Sequence, residues 1–231
     1  MSGAGMLAPM TDALRTRPDA VVFDLDGTLV DTVPARIAGW TEVLAAHRIP
    51  VAPGQLEPTI GMDGRALARE VAAASARRLT DEEAEEIDRL AGEAFDRHNR
   101  HPSPLPGARA VLDRLDADGM AWAIATSSRA EQVAVSVAAL GLVSPPRIID
   151  GSRVAHAKPA PDLLHLAARE LDVDPRRTWY VGDATWDMRA AVAGGMTPVA
   201  VLAGAAVSAA ALREAGAAAV LQTLDELVVP D

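Results

Sequence analysis

Short apolar runs alternate along the chain with stretches in which apolar residues recur every three or four positions. Ala20-Val21-Val22-Phe23 is one such run, and comparable ones cover Trp122 to Ala125, Arg147 to Ile149, Trp179 to Val181 and Pro198 to Leu202. Short runs without polar alternation predict strands buried on both faces of a parallel sheet. Helical patterns lie between them. Leu105 to Asp118 stops at Gly119, Arg129 to Leu140 stops at Gly141, and Asp162 to Leu171 follows a proline-rich turn. Those are the ordinary punctuation marks of helix ends. Strands alternating with helices predict an α/β fold, a doubly wound parallel sheet with a Rossmann-like core.

The alternation fails once. Residues 34–102 show helical periodicity and no convincing strand, which predicts an inserted all-helical subdomain interrupting an α/β core of residues 20–33 and 103–231. Within it, Thr80 followed by Glu83 is the signature of a capping box, opening a helix that runs through Asp96. Ile87, Leu90, Ala91 and Ala94 form the apolar stripe of that helix, and the acids of Asp81 to Glu86 with Asp88 read as a solvated face, with a cation site as the sharper alternative. Pro102, Pro104 and Pro106 mark a stiff return to the core. Residues 1–19 read as a flexible N-terminal extension. Met6-Leu7-Ala8 and Met10 there are interrupted by Pro9 and Asp12, so no stretch of signal-peptide length forms and a cytoplasmic protein is expected.

Composition narrows the function. The 231 residues are 49% hydrophobic and 23% charged, enough for a full core, and their net charge of −10 opposes nucleic-acid binding in the absence of a basic patch. No cysteine is present, which excludes disulfides, thiolate metal sites and a cysteine nucleophile. No run of about eighteen apolar residues occurs, so no membrane span is expected. Monomer and dimer are both compatible with these patterns.

The candidate chemistry lies where strands end. Asp24-Leu25-Asp26-Gly27-Thr28 follows the first strand, at the edge where open parallel sheets bind ligands. Acids two apart in an extended segment project to one side, and their repulsion calls for a cation or a shared proton. A turn out of the strand would also use Asp and Gly. Of 22 basic residues 21 are arginine, so Lys158, alone in its loop, suggests a position that wants a compact ammonium. Gly182-Asp183-Ala184-Thr185-Trp186-Asp187 follows the Trp179 to Val181 strand, and the hard oxygens of its acids suit magnesium. In its simplest structural use, the alternative reading, Asp183 caps the next helix. Thr126-Ser127-Ser128 ends the second strand, and its hydroxyls and amides at a helix start can hold phosphate. Ser128 with Glu131 also fits a second capping box.

Taken in order, Asp24 to Thr28, Thr126, Lys158 and Gly182 to Asp187 resemble the four motifs of the haloacid dehalogenase superfamily, in the branch with a helical cap inserted after the first motif. The resemblance spans residues 20–202. It implies that Asp24 is a nucleophile forming an aspartyl-phosphate, and that Asp26 protonates the leaving alcohol and then activates water. Thr126 and Lys158 would hold the phosphoryl oxygens, with Ser127 beside them. Magnesium (Mg2+) would be bound by Asp24, the Asp26 main-chain carbonyl and Asp183, with Asp187 behind the ion or reaching it through water.

Asp26 argues against a dehalogenase, whose chemistry does not use a second acid. The absence of lysine from residues 34–102 argues against a Schiff-base phosphonate hydrolase. Mutases of the beta-phosphoglucomutase type place a histidine where this chain has Arg36, which weakens that alternative. Asp31-Thr32-Val33-Pro34 looks more like phosphoglycolate phosphatases and related hydrolases. The expectation is therefore a magnesium-dependent phosphatase of a small phosphorylated metabolite, of phosphoglycolate or sugar-phosphate type. The non-enzymatic alternatives are a phospho-aspartate receiver, which has no use for Asp26 or the insertion, and a retired binding protein, whose motifs would be broken. Gly61-Met62-Asp63-Gly64-Arg65 resembles a substrate loop of the cap. Arg65 is its candidate for a second substrate anion, with a solvated turn as the alternative.

Overall fold

A computed structural model describes residues 14–230, apart from the side chain of Glu131. Six parallel strands form one sheet: β1 (Ala20–Phe23), β2 (Ala121–Ala125), β3 (Ile148–Ile149), β4 (Thr178–Gly182), β5 (Thr197–Val201) and β6 (Ala219–Leu221), in the order β3-β2-β1-β4-β5-β6. The doubly wound parallel sheet expected from the apolar runs is the observed one. All four residues of β1 are buried, because helices cover both faces of the sheet. On one face α4 (Ala108–Ala117) packs Val111, Leu112 and Leu115 against Val21, Phe23 and Ile124. On the other, α6 (Asp162–Leu171) and α7 (Thr185–Gly194) pack Leu164, Ala167 and Ala190 against Val22, Ala123 and Tyr180.

Three helices, α1 (Val33–Ala46), α2 (Gly64–Ala74) and α3 (Asp81–His98), form a second layer with its own core of Trp40, Leu44, Leu67, Val71 and Ile87. The capping box of α3 is present as the sequence predicts: the Glu83 amide donates to Thr80 Oγ1 and the Thr80 amide to Glu83. Ile87, Ala91 and Ala94 are buried, while Leu90 is only half-buried.

Four local differences from the sequence reading have physical causes. α4 starts at Ala108 rather than Leu105, because Gly107 before it holds φ +81°. β6 was hidden by its length of three residues, and α8 (Ala209–Glu214) is also short. The proposed capping box of Ser128 and Glu131 does not organise α5 (Ala130–Ala139): Arg129 occupies the cap position without a side-chain bond, and the Ser128 hydroxyl is engaged elsewhere. The Glu131 side chain lies outside the described residues. Of the N-terminal extension, residues 1–13 also lie outside them, but Leu14 is buried in the main core and Arg17 Nη1 donates to the Pro230 carbonyl, so the segment is anchored from Leu14 onward.

Candidate active site

β1 is flanked by β2 on one side and β4 on the other, so connections leave it in opposite directions and a crevice opens at its carboxyl end. Asp24 stands there, immediately after Phe23. Its amide donates to the Val181 carbonyl of β4, which fixes it against the neighbouring strand. Lys158 arrives from the loop before α6 and places Nζ 2.6 Å from Asp24 Oδ1 and 2.7 Å from Asp187 Oδ1. All three side chains are buried. The chain's only lysine is thus the ammonium that joins two of the predicted site acids, 134 residues from one and 29 from the other.

Asp187 is held from two sides. One oxygen receives Lys158 and lies 3.2 Å from the Tyr180 hydroxyl, and the other accepts the amides of Asp183 and Ala184 at 3.2 and 2.9 Å. With both oxygens so engaged, Asp187 orients Lys158 and shapes the turn after β4. Asp183 accepts a 2.9 Å bond from Thr28 Oγ1 and approaches the first motif at Gly27. Gly27 has φ +79°, and a Cβ there would collide with the Asp183 carboxylate, so this glycine provides both the turn and the room.

Asp26 points toward the helical layer. Thr32 Oγ1 donates to Oδ1 at 2.7 Å, Arg36 Nη2 to Oδ2 at 2.9 Å, and the Ser128 hydroxyl also to Oδ2. Arg36 in turn lies 3.6 Å over the Phe95 ring and 2.9 Å from Ser128 Oγ. Burial works to raise the Asp26 pKa, but the Arg36 charge and the three donors outweigh it and hold the carboxyl below the ordinary range. Asp24 behaves in the opposite way: burial raises it to about 7 against the pull of Lys158, helped by Asp187 and Asp26. Burial, with Asp187 and Asp24 nearby, also raises Asp183 well above its usual value. Burial alone would discharge Lys158, yet Asp187 and Asp24 hold the ammonium well above its usual pKa.

These shifts describe a site with too much negative charge for its one ammonium. Oxygens of Asp24, Asp183 and Asp187 lie within 4.8 Å of one another, all three residues are buried, and every donor is a hard carboxylate oxygen. The set therefore fits a hard divalent cation.

Thr126, Ser127 and Ser128 follow β2 on the other wall. Thr126 Oγ1 accepts the Ser128 amide at 3.1 Å and so folds the loop. Ser127 Oγ is, among the described residues, the one buried side-chain polar atom without a hydrogen-bond partner, and Ser127 lines the same cavity as Asp24 and Lys158. That cavity, of about 730 Å³, extends between the sheet and the helical layer as far as Arg65. Arg65 lines it but is already 3.2 Å from Asp63 and 3.6 Å from Glu85, and is half-exposed. It is not an unpaired cation waiting for a substrate anion.

Thr28, Thr32, Arg36 and Tyr180 contact the site acids without a role assigned from the sequence, and Ser128, read there as a cap or a phosphate donor, instead donates to Asp26. Thr28 and Thr32 sit within and just after the first motif, where a signal existed. Arg36 was visible only as the residue that stands where mutases place a histidine, and Tyr180 only as an ordinary strand residue.

The chain belongs to the haloacid dehalogenase-like hydrolase family, whose model matches residues 21–201. It is similar to a phosphoglycolate phosphatase of Xylella fastidiosa (strain 9a5c), 34% identical over 191 residues that cover 80% of each chain. It is also similar to an N-acetylmuramic acid 6-phosphate phosphatase of Pseudomonas aeruginosa, 31% identical over 75% of this chain and 77% of the relative. Among solved structures, a hydrolase from Pseudomonas syringae superposes with a TM-score of 0.85 at 33% identity, covering 90% of this chain and 95% of that one. The family and the hydrolase class inferred from the four motifs are thereby established. Among the described residues no helix is long and apolar enough to cross a membrane.

Proposed function

We propose that the protein is a metal-dependent phosphatase of small phosphomonoesters in which Asp24 is the nucleophile and Asp26 the acid and base. The observation that carries this reading is the meeting, in one cavity, of the buried Asp24–Lys158 pair, Asp183 and the unpartnered Ser127 hydroxyl, with Asp187 bound to Lys158 beneath them. A buried polar atom without a partner costs about 1–3 kcal/mol, and a phosphoryl oxygen seated against Ser127 and Lys158 removes that cost.

In the first step the Asp24 carboxylate attacks phosphorus. The bond to the ester oxygen breaks, and that oxygen leaves as the alcohol with a proton from Asp26. In the second, water attacks phosphorus of the aspartyl-phosphate and gives a proton to Asp26, and phosphate and free Asp24 result. Lys158, Ser127 and the Thr126 loop hold the phosphoryl oxygens through both steps. Asp24, Asp183 and the Asp26 main-chain carbonyl would hold magnesium, which supplies the positive charge that lets a carboxylate approach a phosphate.

Arg36 gives Asp26 a setting suited to its two duties. With Arg36 in place Asp26 is a stable carboxylate, and withdrawal of Arg36 from it raises its proton affinity. Residues 34–102, read as a cap, carry Arg36, so the position of the cap is coupled to the proton on Asp26. Phosphate release from a panel of phosphomonoesters, with magnesium and with chelator, tests the reading. Magnesium-dependent release lost in Asp24→Asn supports it; a lasting aspartyl-phosphate without turnover, or isomerisation of a sugar phosphate without net phosphate release, overturns it.

A further inference from the structure

Away from Asp24, the charged lining of the cavity comes from both layers. Arg129, just before α5, reaches across to α3, with Nη2 2.6 Å from Asp88 Oδ2 and 3.2 Å from Glu85 Oε1. Arg65 of α2 is paired with Asp63 and Glu85 from the same side. Arg89 turns to Glu86 and Glu93, and Arg36 to Asp26. Each of the four arginines lining the cavity therefore already has a carboxylate partner. At its far end Asp63, Glu85 and Asp88 face Arg65 and Arg129, leaving one negative charge in surplus.

The cluster is built into the helical layer. A Cβ at Gly64 would collide with the Asp88 carboxylate, so α2 opens on the residue that leaves room for that acid. The Asp88 side chain is 20% exposed. Burial, with Asp63 and Glu85 close by, raises its pKa against the pull of Arg129.

A leaving group that carries its own anion must displace one of these carboxylates from its arginine and then lie beside it. Hydroxyl groups face no such conflict, since they donate to the carboxylates and accept from the arginines as they stand. We propose that this end of the cavity takes an uncharged, polyhydroxylated leaving group, a sugar or polyol, and rejects phosphomonoesters whose leaving group bears a carboxylate or a second phosphate. The proposal rests on reading the cavity as a phosphomonoesterase site. It makes Glu85, Asp88 and Arg129 specificity residues contributed by opposite walls.

A matched pair of esters tests it. Sorbitol 6-phosphate and 6-phosphogluconate share chain length and phosphate and differ at the far carbon, a hydroxymethyl group in one and a carboxylate in the other. Calorimetric binding in magnesium buffer to the full-length Asp24→Asn protein measures recognition without turnover, and kcat/KM of the native enzyme measures it with turnover. Sorbitol 6-phosphate is expected to bind about tenfold more tightly, the size of effect a like charge exerts at a partly desolvated site. In Asp24→Asn carrying also Glu85→Gln and Asp88→Asn, which frees Arg129, that ratio should shrink to about twofold or invert. Glu85→Gln alone, a change at an exposed position, should move it in the same direction.

Equal or tighter binding of 6-phosphogluconate by Asp24→Asn, binding of neither ester, or a ratio indifferent to the Glu85 and Asp88 substitutions overturns the proposal. If Asp24→Asn keeps the binding preference while native protein hydrolyses neither ester nor any other, the phosphatase reading fails and the leaving-group assignment falls with it; if native protein hydrolyses phosphomonoesters without that preference, the inference alone fails.

Discussion

Lys158 and Arg129 each bridge two carboxylates across the same cavity, and they do so under different physics. Lys158 has 1% of its side chain exposed and its partners Asp24 and Asp187 have 9% and 1%. Arg129 is 47% exposed, with Glu85 at 50% and Asp88 at 20%. Buried charges are weakly screened and cannot fall back on water, so the Lys158 pairs are locked and the removal of any member leaves a costly orphan. The Arg129 pairs are only partly desolvated, with Arg129 and Glu85 open to water and salt, so they are less tightly held and can exchange partners with a ligand. The sheet end thus preorganises the reacting charges, and the helical wall presents charges free to respond to what enters.

Substitutions on the two sides should separate accordingly. The largest effect is expected at the nucleophile: Asp24→Asn should lower phosphate release by at least about 10⁴-fold, measured as initial rates on the best ester of the panel. Lys158→Met comes next, because Asp24 and Asp187 would then face each other without the ammonium. Unfolding in urea should show a loss of about 3–5 kcal/mol, and kcat a fall of about 10²–10³-fold. A protein as stable as the native one would break the view of Lys158 as a locked charge.

Asp183→Asn should raise the magnesium concentration needed for half-maximal rate by about 10–100-fold, and chelator should abolish activity in native protein until magnesium is restored. Arg36→Gln should act through proton affinity. Arg36 holds the Asp26 carboxyl below its ordinary pKa, so its removal moves that pKa upward. The limb of the kcat/KM profile that belongs to Asp26 should shift to higher pH, and a profile that does not move would uncouple the helical layer from the acid. Smallest is Arg65→Gln, whose half-exposed pairs with Asp63 and Glu85 predict a stability change within about 1 kcal/mol; a larger loss in urea unfolding would place Arg65 with the locked charges instead.

The strands were legible because each is a continuous apolar run, and the helical insertion because its periodicity is long and α3 carries its own cap. β6 left too short a signal, and α7 is packed between the sheet and its neighbouring helices, so a two-sided apolar surface blurs its helical stripe. Asp24, Asp26, Lys158 and Asp183 were legible for a related reason: each follows a strand or occupies a loop at a fixed place in the chain, and a strand end in a parallel sheet has only one possible neighbourhood.

What the amino-acid order determined by itself is therefore the list of candidate reacting groups and the edge of the sheet where they gather. The tertiary structure alone decided how those groups are partnered. Arg36 and Ser128, 92 residues apart, both turn to Asp26; Asp187 spends its oxygens on Lys158 and two amides; Arg129 crosses to Asp88; and Arg65 is already paired. Strand ends are set by local apolar pattern, which a sequence displays. Charge pairing depends on side chains from separately encoded elements arriving within about 3 Å, a condition that exists only once both layers are packed.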